Sequence, residues 1–189
     1  MSELPFMTLR QIQEAVDNMR ELHPVLSEIP IDCEEFAELE LGIEIIPVKM
    51  LRERVGADAF ITRDFLSILI DDDYFNDPRM RTRNNFSIAH ELGHLFLHRD
   101  YFDAQCPEGT EEEWIDFMQS MEDLEHVRLE WQANAFAALL LMPKAEMMRH
   151  FEKPGVSIPA LGRAFGVSTW AISKRIEMED FRMDFGDPI

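Results

Sequence analysis

Apolar residues recur every three to four positions over about residues 8–21, with Leu9, Ile12, Val16 and Met19 on one side. That period predicts an amphipathic helix, readable as an N-terminal arm over residues 1–30. Pro24 and Pro30 bracket a linker after it. Asp32-x-x-Glu35 has capping-box spacing and opens a short helix through Leu41, which Gly42 stops. Residues 43–47, with Ile43, Ile45 and Ile46, are predicted as a buried strand, and a short helical stretch leads on to Gly56. Residues 57–62 and 66–71 read as a hairpin about Arg63-Asp64.

Asp77-Pro78 then supplies a cap and a first-turn proline, and residues 79–98 hold no further proline. Ala89, Leu92, Leu95 and Phe96 give this helix its apolar stripe. Thr110-x-x-Glu113 is a second capping box, opening an acidic helix with Trp114, Ile115, Phe117 and Met118 on its apolar side. A further helix around Glu130 runs to Pro143. Residues 159–176 carry a helix-turn-helix pattern in which Gly166-Val167-Ser168 is the turn and Ser168 the second cap. The predicted class is α+β: a small three-stranded sheet packed on helices, with a core over residues 31–150 and a helical tail over 151–189.

Composition narrows the class of function. The chain has 189 residues, 46% of them hydrophobic, enough for an ordinary single core. No apolar run approaches the roughly 18 to 20 residues of a membrane span, and Met1-Ser2-Glu3-Leu4-Pro5 lacks a signal-peptide pattern. Cys33 and Cys106 form no CxxC pair, which points to a reducing cytoplasm. The net charge is −19, and residues 100–130 hold eleven acids against the single basic Arg128. Such a field disfavours nucleic acid and anionic membrane, and suits either plain solubility or a basic partner. The tail, too, has more acids than bases, so its helices read as a buttress for the core rather than a DNA reader.

The chemistry is concentrated in His90-Glu91-Leu92-Gly93-His94. Residues four apart on a helix share a face about 6 Å apart along the axis, so both imidazoles can reach one metal ion. Glu91, offset by roughly 100°, can stand beside that ion as a general base. Gly93 costs about 1 kcal/mol relative to alanine in a helix, which predicts a close approach by another helix or by substrate. A catalytic zinc takes a third protein ligand. His98 is unsuitable, because it lies about 12 Å from His90 along the axis. Glu130 is the preferred third ligand: helical spacing sets it with Val127, Ala133, Ala137 and Leu141, where a lone carboxylate would be expensive. His126 and Asp100 are its rivals. Asn134, one turn on, is placed to hydrogen-bond a ligand.

Three stretches together resemble the ImmA/IrrE family of zinc metallopeptidases. They are the surroundings of HELGH from Phe86 to His98, Glu130-x-x-Ala133-Asn134-x-Phe136-Ala137 leading to Met142-Pro143, and the upstream run from Leu41 to Pro47 with Ile68 to Asp71. Asn85 departs from the basic residue usual in the family. The resemblance implies a minimal, gluzincin-like zincin in which His90, His94 and Glu130 bind zinc (or another divalent ion such as Mn2+) and Glu91 is the catalytic base. It also implies a protein substrate, a helix-turn-helix repressor cut to release transcription. The residues themselves suggest substrate addition to an edge strand, expected at residues 66–71, and oxyanion help from His126, Tyr101 or His98. A metal-holding module that sequesters a repressor or peptide without cutting it is the alternative, and an intact Glu91 argues against it.

Overall fold

The computed structural model describes residues 4, 6–105, 109–121 and 123–178. Helix α1 (Leu9–Leu22) starts in a full capping box. Thr8 Oγ1 accepts from the Gln11 amide, and the Gln11 side chain accepts from the Thr8 amide. Ile12, Val16 and Met19 are buried, and Arg20 Nη1 donates to the Leu140 carbonyl. The helix therefore lies on the core, against α7 (Asp123–Leu141). Asp32 caps α2 (Cys33–Glu35), which widens into a π turn over Phe36–Glu40 and turns Phe36 and Ala37 inward. Cys33 is buried, and Cys106 lies outside the described residues.

Strand β1 (Glu44–Val48) is followed by α3 (Leu51–Val55), β2 (Ala59–Ile61) and β3 (Ser67–Asp71). β2 and β3 form the expected antiparallel hairpin, with Ile61 opposite Ile68. β1 pairs parallel to β3, with Ile45 opposite Ile68, so the sheet order is β1-β3-β2. This corrects the expected edge strand. Residues 66–71 lie in the middle, where both backbone edges are paired, and β2 is the free edge on the site side. Pro47 explains the other margin, since a residue without an N–H belongs on an edge strand.

After α4 (Asp72–Phe75), Asp77 caps a 3-10 turn that runs into α5 (Arg81–Gln105). Asn85, the departure from the family pattern, joins α5 to the segment that leads into α2. Its Oδ1 accepts from the Cys33 amide at 2.8 Å and its Nδ2 donates to the Ile31 carbonyl at 2.9 Å. Helix α6 (Glu111–Ser120) opens with the predicted Thr110–Glu113 box. Helix α8 (Lys144–Phe151) follows α7, and the tail forms α9 (Ile158–Phe165) and α10 (Thr169–Glu177), with Gly166 at φ 64° and Ser168 as the cap. Phe165 and Ile172 are buried, and the buried Arg175 donates from Nε to the Met142 carbonyl, so the tail is packed on the end of α7.

Gly93 lies where α5 crosses α7. A Cβ there would stand 3.0 Å from the Ala133 Cα and 3.1 Å from its carbonyl oxygen. Both are backbone atoms and can yield only if the helices separate. Gly93→Ala should therefore destabilise the protein by about 1–3 kcal/mol despite alanine's better helix propensity. Thermal melting should show a midpoint lowered by several degrees, and an unchanged or raised midpoint would mean the crossing is loose.

Candidate metal centre

Helix α5 places His90 and His94 one turn apart with ring centroids 4.8 Å apart and planes at 74°. Their Nε2 atoms are 3.0 Å apart. The α5–α7 crossing at Gly93 and Ala133 then brings in Glu130. Its Oε2 is 3.3 Å from His90 Nε2 and its Oε1 is 3.4 Å from His94 Nε2. Ligand atoms of the three residues all lie within 4.8 Å of one another. Tetrahedral bonds of about 2.0–2.1 Å set neighbouring ligand atoms roughly 3.3 Å apart, so this donor set fits a small divalent ion.

The hydrogen bonds behind the rings support that fit. Asn134 Nδ2 donates to the Glu130 carbonyl at 2.7 Å, which turns its Oδ1 toward His90 Nδ1, 3.3 Å away. His90 can thus carry its proton on Nδ1 and offer a lone pair from Nε2. On the other ring, His94 Nδ1 faces His98 Nδ1 at 3.1 Å, and His98 Nε2 faces Gln132 Oε1 at 3.0 Å. With Gln132 accepting, His98 is protonated on Nε2, and its Nδ1 accepts from His94. Two Nε2 lone pairs then face each other across 3.0 Å, an arrangement that a cation between them satisfies.

The alternative protonation state, with protons on the two Nε2 atoms, binds Glu130 in place of a cation. Burial works to raise the Glu130 carboxyl, but hydrogen bonds and charge from His90 and His94 outweigh it and hold the group well below the usual carboxylate range. Burial opposes charge on His90, and Glu130 with Glu91 overcomes it, so this histidine is raised. Burial, and then the neighbouring His94, push His98 down to about 3, which keeps it neutral.

Glu91 is buried, and its Oε2 accepts from the Ile61 amide at 2.9 Å. It lines the same cavity as His90, His94 and Glu130. The rivals for the third position are placed differently. His126 is exposed and lines the cavity, but it is outside the three-residue cluster. Asp100 is exposed on a separate groove beside Phe65 and Leu95. His98 is fully buried behind His94, and the Tyr101 hydroxyl donates to Glu125 at 3.4 Å. Val127, expected on the buried face with Glu130, is 61% exposed, so Glu130 sits at the border of that face.

Two contributions were not foreseen. One is the Ile61 amide on Glu91. The other is Trp114, whose indole Nε1 donates to the Ile61 carbonyl at 3.0 Å. The apolar side of α6 marked Trp114 for burial, but nothing local signals its acceptor 53 residues away.

The peptidase family described as the IrrE N-terminal-like domain matches residues 41–177, and the chain belongs to that family. Among solved structures, a Mycobacterium tuberculosis transcriptional regulator is similar in fold, with a TM-score of 0.59 and 21% identity over 89% of this chain. The chain spans about half of that regulator's length, 47%. The search of curated proteins gave no match. Among the described residues, no helix is long and apolar enough to cross a membrane.

Proposed function

We propose that this protein is a cytoplasmic zinc-dependent endopeptidase that cuts a helix-turn-helix transcriptional repressor. The observation that carries the reading is the His90–His94–Glu130 cluster with Glu91 held beside it from the edge of the sheet. His90, His94 and Glu130 would hold the ion. Bound there, zinc would lower the pKa of a water to about 7 and polarise the scissile carbonyl. With Oε2 occupied by the Ile61 amide, Glu91 Oε1 is the oxygen left to take the water's proton and pass it to the leaving amine. Of the three candidate oxyanion partners, His126 is the one that lines the cavity, so it is the assignment we make.

The family membership supports a peptidase acting in regulation, and the structural neighbour's description as a transcriptional regulator agrees with a regulatory partner. The experiment is to incubate the metal-loaded protein with a candidate helix-turn-helix repressor, with and without chelator. Discrete fragments that vanish with chelator are expected. Stable binding without fragments would replace the peptidase by a sequestering module.

A further inference from the structure

We propose that the cavity between β2 and α6 is a specificity pocket for a bulky apolar side chain next to the scissile bond, with α6 setting the preference. This rests on the peptidase reading. The cavity, about 380 Å³, opens on His90, Glu91 and Glu130, and Phe60, Ile115, Met118 and Met121 contribute apolar walls. The volume is in the range of small-molecule pockets. The two methionines can adapt to side chains of different shape.

The α6 wall is fixed in place by one deep anchor. Trp114 is fully buried, meets Phe102 edge-on with centroids 4.9 Å apart, stacks on Phe117, and reaches the Ile61 carbonyl through its indole N–H. The same bond closes part of the β2 edge. The Thr62 amide donates to Ser67 and the Asp71 amide to Asp58, so alternate residues of β2 point their backbone groups away from β3. Those residues are Ala59 and Ile61. Ile61 already gives its N–H to Glu91 and its carbonyl to Trp114. Ile61 therefore keeps no backbone group for a substrate and Ala59 is buried, so recognition on this side falls to the cavity, which takes the side chain.

The probes are acetyl-leucine hydroxamate and acetyl-glycine hydroxamate, titrated into the zinc-loaded full chain. The leucine probe should bind about 10- to 100-fold more tightly, the worth of burying a leucine side chain. Met118→Trp, which fills the cavity, should bring the ratio close to one, with zinc content per chain reporting an intact site. Equal affinity of the two probes for the wild type would overturn the proposal, as would a leucine preference surviving in zinc-loaded Met118→Trp. Hydroxamate binding needs no turnover, so this outcome is separate from repressor cleavage. A leucine preference with no repressor fragments would refute the repressor as substrate and leave the pocket standing.

Discussion

Glu91→Gln is expected to abolish most turnover while leaving the molecule otherwise intact. Glutamine matches glutamate in shape and volume, and its amide oxygen can accept from Ile61 N–H as the carboxylate does. Glu91 is outside the His90–His94–Glu130 cluster, so metal content should persist. What is lost is the proton acceptor. A positioned general base contributes about 100- to 10,000-fold, and the rate of fragment formation should fall by that factor at equal zinc content. The assay compares single-turnover cleavage of the repressor by the two proteins. Equal rates would exclude Glu91 as the base. Equal relief of repression with no fragment from either protein would favour the binding module.

Glu130→Ala should have the largest effect on metal. The carboxylate supplies the one formal negative charge in the cluster, with oxygens 3.3 Å and 3.4 Å from the two imidazole nitrogens. Its removal leaves two neutral donors on one helix and opens the α7 side to solvent. Losing a partner that merely orients a ligand typically costs about 10- to 100-fold in affinity, and losing the ligand itself should cost more. Competition with a chromophoric chelator should place Glu130→Ala and His94→Ala together, both far weaker than wild type. His126→Ala and Asp100→Ala should retain about one ion per chain. If Glu130→Ala keeps full affinity while either of those loses it, the third ligand is misassigned.

The helical spacing of His90, Glu91 and His94 made three of the four candidate site residues legible, because a helix turns a sequence interval into a face. Glu130 was legible for a different reason: an acid next to buried alanines needs a partner. Gly93 foretold a close neighbour, and the neighbour is the backbone of Ala133. The strand order was harder. A hairpin follows from adjacent runs, whereas β1 reaches β3 across α3 and β2, and local pattern says nothing about which side it takes. Pro47 did carry a usable signal, since it marks β1 as an edge. The stripe of Ile12, Val16 and Met19 revealed that α1 is buried on one side but not that α7 receives it. Likewise, the grip of Ile61 on Glu91, and of Trp114 on Ile61, joins elements far apart in the chain and exists only after packing.

X-ray absorption at the zinc edge of the loaded protein tests the central claim most directly. The account predicts one zinc per chain in a shell of nitrogen and oxygen at about 2.0–2.2 Å, with the outer-shell signature of two imidazoles. Glu130→Ala should change that shell or empty it. A sulfur neighbour at about 2.3 Å, a single imidazole, or the absence of stoichiometric metal would contradict it.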